Sequence, residues 1–265
     1  MHTGLVHTLG FDREGKTHGY LSIPFSVDRS PYFQVKVPIC TIRNGKGPSL
    51  LLMAGNHGDE YEGELSLAKL IRRLDPAAIS GRITILPMAN TPAVMAAKRC
   101  SPLDGGNLNR AFPGDPTGSP TSMGAARRAG AIGVSGEFGG GGTATVDSMT
   151  LTARALDRLM VELGVVAAPV LTSDAEPAKP TRLLSLSRHS QGIYSTRRGW
   201  FEPAVRLGDS VSAGQLAGWY HDLERLELAE EAIRFSESGI VLSRRLHTMC
   251  EAGDCLMQVA EPVEG

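Results

Sequence analysis

One short segment constrains this chain more than any other. The apolar run Leu50-Leu51-Leu52-Met53-Ala54 stops at Gly55, and Asn56-His57-Gly58-Asp59-Glu60 follows at once. The run is apolar on both faces and bounded by Gly47-Pro48 and Gly55-Asn56, so it reads as a buried parallel strand. Leu67, Leu70, Ile71 and Leu74 then recur at helical spacing, which predicts an amphipathic helix from about Glu62 to Leu74. After a loop around Asp75-Pro76, the segment Arg82–Asn90 reads as the next strand. Strand, helix and strand in that order predict a right-handed βαβ unit and a parallel sheet.

His57 and Glu60 fall in the turn between strand end and helix start, close enough to share one ion. A borderline cation such as zinc takes His nitrogen and Glu oxygen at about 2.0–2.2 Å. The plainer alternative is that Asp59, Glu60 and Glu62 complement the positive end of the helix. Two further segments bear on the choice. The loop Arg99–Gly114 is rich in turn formers and carries Asn107, Asn109, Arg99 and Arg110. Ala131–Glu137 reads as another strand, ending at a carboxylate before Phe138 and the four glycines Gly139 to Gly142. Ligand sites in open α/β sheets gather at the carboxyl ends of strands. One shared site is therefore expected for His57, Glu60 and Glu137.

Three of these motifs together resemble the succinylglutamate desuccinylase/aspartoacylase family: Gly55-Asn-His57-Gly-Asp-Glu60, Asn107-Leu-Asn109-Arg110, and Gly136-Glu137-Phe followed by the glycine run and Thr143. Within it, Ser101-Pro-Leu-Asp-Gly-Gly-Asn-Leu-Asn-Arg-Ala-Phe-Pro-Gly114 looks most like the N-acetyl-diaminobutyrate deacetylases of ectoine breakdown. The resemblance spans about residue 15 to the C-terminus. It implies a zinc-carboxypeptidase-like fold and zinc-dependent hydrolysis of the amide bond of a small N-acyl amino acid. It implies His57 and Glu60 as zinc ligands and Glu137 as general base. Asn109 and Arg110 would hold the substrate carboxylate, and Arg99 would lie near the polarised carbonyl.

The chemistry accounts for these residue types. Amide hydrolysis needs a nucleophile at neutral pH, which zinc provides by lowering the pKa of water to about 7. A carboxylate takes and returns the proton, positive charge stabilises the oxyanion, and a planar guanidinium binds two carboxylate oxygens at once. A surface ion pair for Arg110 and a solvated strand end for Glu137 are the competing readings.

One departure from the family stands out. The family's second histidine ligand lies between the Asn-Arg motif and the glutamate, yet no histidine occurs between Arg110 and Glu137 here. The Thr121–Ser122 step reads as a deletion junction, with a shortened sheet expected to be less stable or to self-associate. Asp115 is a weak substitute, because Asp is common in such Pro/Gly turns. His2, His7, His189, His221 and His247 follow no strand-end pattern, and His18 reads as a polar residue on an early strand. A catalytic zinc normally has three protein ligands, and only two are identified. A family member that binds a small acidic ligand without turnover is therefore the alternative function.

Three regions are expected: a carboxypeptidase-like domain over 1–166, a Pro-rich linker over 167–181, and a small β-barrel or sandwich over 182–265. A helix is expected over Ser148–Leu163, capped by Asp147 or Ser148 and ended by Gly164, with Leu151, Ala155, Leu159 and Leu163 along one face. Short strands are expected at 183–187, 192–196, 233–236, 239–243 and 256–260. The turn Leu207–Gly214 resembles that of biotinyl/lipoyl-like domains, but no lysine follows Lys179 to carry such a group. The glycine run lacks the lysine of a phosphate loop. A net charge of −1 gives no footprint for nucleic acid or an anionic membrane. Four cysteines without CxxC spacing read as reduced thiols, and the absence of a signal-peptide pattern or a membrane-length apolar run predicts a cytoplasmic protein. The expected partner is a small-molecule substrate, with room for a homo-oligomer.

Overall fold

A computed structural model of the chain describes residues 6–7, 9–112, 119–173 and 181–263. Asp115, and Pro177 and Pro180 of the expected linker, lie outside the described residues. The chain divides into two compact units, Met1–Glu176 and Pro177–Gly265.

The first unit is built on a five-stranded mixed sheet: β1 (Val6–His7), β2 (Gly15–Val27), β3 (Ser30–Asn44), β4 (Ser49–Met53) and β5 (Gly81–Leu86), in the order β1-β2-β3-β5-β4. β4 and β5 run parallel from Ser49 opposite Arg82 to Met53 opposite Leu86, and the other neighbours pair antiparallel. The helix between them, α1 (Tyr61–Arg73), completes the βαβ unit. Glu62 and Glu64 in its first turn and Arg72 and Arg73 in its last complement its dipole. It ends where Asp75 caps a short 3₁₀ turn, Pro76–Ala78, accepting from the Ala77 amide at 2.9 Å. α2 (Thr91–Met95), α3 (Ser122–Arg128) and α4 (Val146–Glu162) follow. Ile42, Leu52, Leu67, Leu70, Leu74, Ile83, Ile85 and Met160 form one buried cluster between the sheet, α1 and α4. Fully burying each such side chain contributes about 1.5–3 kcal/mol.

Three expectations change here. β4 is parallel but is not buried on both faces. It is the edge of the sheet, and Leu51 is 61% exposed while Leu52 is 7% exposed. Residues 131–137 form no strand: the segment runs as coil, with Ile132 98% and Val134 76% exposed. Strand residues need a ladder to join, and none of the described strands pairs with this segment. It folds instead onto α3, close enough that a Cβ on Gly133 would meet the Met123 Cε at 2.7 Å. The α4 stripe is also displaced. Thr145, not Asp147 or Ser148, is the cap, in a capping box with Ser148. The helix buries Ser148, Thr152, Asp157 and Met160, whereas Leu151 and Leu163 are 55% and 44% exposed. Asp157 explains the shift. Its carboxylate accepts from the amides of Val170, Leu171 and Thr172 and from the Thr172 hydroxyl at 2.8–3.0 Å, so the helix turns this polar residue inward.

The second unit is all-β. One sheet has the order β11-β10-β8-β13: β8 (Gly199–Pro203), β10 (Leu216–His221), β11 (Glu231–Arg234) and β13 (Met249–Cys250). The other has the order β6-β14-β12-β9, with β7 also on β14: β6 (Leu184–Ser185), β7 (Gly192–Tyr194), β9 (Ser210–Val211), β12 (Gly239–Arg244) and β14 (Cys255–Pro262). Phe201, Ala217, Tyr220, Val241, Leu256, Met257 and Val259 fill its core. Buried Gln191 ties the 184–191 segment together, accepting from the Ser187 and Arg188 amides and donating to the Ser185 carbonyl, each at 2.8 Å. No helix among the described residues is long and apolar enough to cross a membrane.

Candidate functional site

The loop after β4 is fixed by continuing the parallel ladder beyond the sheet. The Ala89 amide donates to the Ala54 carbonyl at 2.9 Å, that of Asn90 to Gly55 at 2.8 Å, and that of Gly58 to Lys98 at 3.0 Å. Asn90 adds a bond from its side chain to the Asn56 carbonyl at 3.2 Å. Two glycines make this path available. Gly55 has φ of +72°, which disfavours a side chain. At Gly58 a Cβ would lie 2.1 Å from the Ala93 carbonyl carbon of α2. The result is a rigid loop with His57 only 3% exposed.

The two predicted ligands meet. His57 Nδ1 lies 2.8 Å from Glu60 Oε1, and His57 Nε2 lies 3.1 Å from Asn107 Oδ1. The Asn109 amide also donates to Asn107 Oδ1 at 2.9 Å, which identifies that atom as the oxygen. Nε2 must therefore carry a proton and donate. Nδ1 is left facing a carboxylate, an arrangement that requires a cation between them, whether a proton or a metal ion. A histidine that donates one N–H to a carbonyl and turns its other nitrogen inward is the usual form of a metal-binding histidine. A tetrahedral ion at ~2.0–2.1 Å from each atom would set them roughly 3.3 Å apart. Glu60, whose side chain is 31% exposed, has the freedom to open that gap. These two residues fit a zinc ion in donor type and orientation. They stay one protein ligand short: among the described residues no group of three His, Cys, Asp or Glu side chains converges.

Arg99 joins them, its Nη1 donating to the same Glu60 oxygen at 3.0 Å. Asn109 and Arg110 turn elsewhere. Asn109 Oδ1 accepts from the Ser122 amide at 3.0 Å and faces its hydroxyl at 3.3 Å, docking the start of α3. Arg110 is exposed and donates to the Asn109 carbonyl at 2.9 Å. Glu137 lies exposed on the coil. The chain just after it does reach the site: the Gly142 amide donates to the Asp59 carbonyl at 3.0 Å, and a Cβ on Gly140 would lie 3.7 Å from Glu60 Cγ. His18 sits on β2 opposite Cys40, away from these groups.

Sequence reasoning passed over two groups. Asn107 lies inside the quoted Asn-Leu-Asn-Arg segment, and its role becomes visible only when the turn brings it under His57. Glu62, read only as a dipole partner, and Glu64, not singled out at all, are only 3% and 7% exposed. The Glu64 carboxyl is pushed up to about 7, first by burial and then by Asp59, Glu60 and Glu62 around it. Among the described residues, Oε1 of Glu64, Oδ1 of Asp59 and Oδ1 of Asn56 are buried without a hydrogen-bond partner. The loop thus holds an excess of negative charge and lone pairs.

Comparison with known proteins is consistent with this geometry. The family model described as the succinylglutamate desuccinylase/aspartoacylase catalytic domain matches residues 46–123, ending directly beyond the Thr121–Ser122 step. The chain is 32% identical to N-alpha-acetyl-L-2,4-diaminobutyric acid deacetylase of Halomonas elongata, covering 97% of this chain and 95% of that protein. That alignment extends over 328 residues, more than the 265 of this chain, so the relative carries residues with no counterpart here. The product-bound structure of the ectoine utilization protein EutE (DoeB) from Ruegeria pomeroyi superposes with a TM-score of 0.90 at 26% identity, over 98% of this chain and 100% of that one. A succinylglutamate desuccinylase/aspartoacylase from Rhodobacter sphaeroides gives 0.89 at 27% identity, over 98% and 100%.

Proposed function

Because this chain belongs to the succinylglutamate desuccinylase/aspartoacylase family, a family of deacylases, we propose that it acts on the amide bond of a small N-acyl amino acid of the N-acetyl-diaminobutyrate type. The observation that carries the reading is the His57–Glu60 pair, held by Asn107 so that His57 Nδ1 faces the Glu60 carboxylate at 2.8 Å. In this proposal the pair holds zinc, with substrate or water completing the shell. Zinc held by His57 and Glu60 would supply Lewis acidity toward water and the scissile carbonyl. Arg99, which pairs with Glu60, is the residue proposed to neutralise charge that develops on the carbonyl oxygen. Glu137 is the proposed proton carrier, three residues before Gly140, whose backbone lies against Glu60. Asn109 and Arg110 are proposed to receive the substrate carboxylate, Arg110 by releasing the Asn109 carbonyl.

A second reading, binding without turnover, is favoured by the two-ligand site and the exposure of Glu137. One experiment separates the two. The chain is dialysed, its zinc measured, and acetate release from N-α-acetyl-L-2,4-diaminobutyrate followed with zinc in excess. The deacylase reading expects zinc retention that His57→Ala abolishes, and turnover that Glu137→Gln lowers by about 10²–10⁴-fold. Binding without any acetate release would leave the second reading. Equal zinc in parent and His57→Ala would remove the ligand assignment.

A further inference from the structure

Beside the His57–Glu60 pair lies a cavity of about 290 Å³ whose chemistry the deacylase reading does not use. Glu62 forms one wall and Asp147 another, with Phe138 and Leu151 as apolar surface and Thr145 and Ser148 adding hydroxyls. Among the described residues no basic side chain lines it. Glu62 is only 3% exposed, yet among the described residues no cation and no hydrogen-bond donor reaches its carboxylate. A carboxylate so placed on a cavity wall is open to a cationic partner brought in by a ligand, through a charge-assisted hydrogen bond.

The glycine run explains how this carboxylate is housed. A Cβ on Gly139 would lie 1.9 Å from Glu62 Oε1, and one on Gly140 would lie 3.7 Å from Glu60 Cγ. Only glycine at 139 lets the main chain close over Glu62, and the next residue reaches Glu60. The cavity and the His57–Glu60 pair are therefore neighbours along a single peptide. Acidic groups on a wall that also presents apolar carbon suit a short alkylammonium, whose methylenes lie on Phe138 and Leu151 while its charge meets Glu62.

We propose that this cavity seats the free ammonium group of an N-acyl diamino acid, with Glu62 as the residue that selects for it. The proposal rests on the deacylase reading, since it assigns the far end of the same substrate. It gives the chain a preference for cationic over neutral acyl amino acids, and it makes Gly139 a specificity position through the space it leaves.

The test is calorimetric titration of the full chain with two ligands: N-α-acetyl-L-2,4-diaminobutyrate, and N-acetyl-L-2-aminobutyrate, which has the same carbon skeleton without the amine. Loss of a charge-assisted hydrogen bond predicts that the parent binds the first about ten- to a hundredfold more tightly. Glu62→Gln, which keeps the shape, should bring the two affinities within about twofold while leaving that for the neutral ligand unchanged. Gly139→Ala displaces the carboxylate without altering Glu62 and should erase the same preference, so the idea stays testable if one variant fails to fold. Equal affinities in the parent would overturn the ammonium seat and leave the acyl amino acid reading standing. A preference that survives in both variants would overturn the role of Glu62. Binding of neither ligand would overturn the seat and the deacylase reading together.

Discussion

Glu64 offers a direct measurement of the strain built into the loop. Its carboxyl is raised from 4.5 to about 7 by burial and by the neighbouring carboxylates of Asp59, Glu60 and Glu62. A carboxyl with a raised folded pKa binds more protons in the folded than in the unfolded state. Its penalty is absent below pH 4.5, grows as pH rises towards 7, and is complete above that. The shift corresponds to roughly 3 kcal/mol at pH 8, so Glu64→Gln should stabilise the protein there by up to about that amount. For a chain of this size the gain is a rise of roughly 5–10 °C in Tm. At pH 4 parent and variant should melt together. The assay is thermal unfolding by circular dichroism from pH 4 to 8 with a chelator present, because a cation bound at Glu60 would relieve the same repulsion. With zinc in excess the gain at pH 8 should shrink. A variant that is less stable than the parent at pH 8, or a gain equal at both pH values, would refute the reasoning.

Asp157→Ala removes the acceptor for three backbone amides and a hydroxyl. It should cost about 2–4 kcal/mol, read as a lower denaturation midpoint in urea, and an unchanged midpoint would show that water replaces the carboxylate freely. The β4 edge, with Leu51 61% exposed, should drive concentration-dependent association that Leu51→Lys suppresses. Light scattering that finds the parent monomeric at all concentrations would exclude this.

The fold was most legible where local pattern and packing agree. Leu67, Leu70 and Leu74 placed α1 to within a residue, because the same residues that repeat at helical spacing are the ones that meet Ile83 and Ile85. The His57–Glu60 meeting was legible for the same reason, since both residues hang on one strand end. Less visible were contacts made across the chain. Asn107 reaches His57 over fifty residues, and Asp157 turns α4 to serve a segment that follows the helix. In the second unit, β8 and β10 went unread because Gly199 and Gly218 interrupt the alternation. Those glycines are required by close approach: a Cβ at Gly199 would meet the Tyr220 ring at 2.4 Å, and at Gly218 the Glu202 carbonyl at 2.2 Å. Ala131–Glu137 was misread for the opposite reason. Its composition suits a strand, but a strand is defined by its neighbour.

That last case joins three features that look separate. β4 ends the sheet with an apolar sequence suited to an interior strand, the 131–137 segment has strand residues and no ladder, and among the described residues the His57–Glu60 pair has no third ligand. In a parallel sheet a site at the end of one strand is completed by residues at the ends of the strands beside it. β5 occupies one side of β4, and the loop after it already contributes Asn90 to the His57 loop. The other side is where a further strand would both cover Leu51 and bring a donor to face Glu60. The relative of 32% identity carries residues with no counterpart here, and the family match stops at 123, where such an element would begin. A single further strand at that place would account for the exposed edge and the unpaired coil together. The carboxylates of Asp59, Glu60 and Glu62 stand close to one another in the His57 loop, and after burial they are what raises the Glu64 carboxyl.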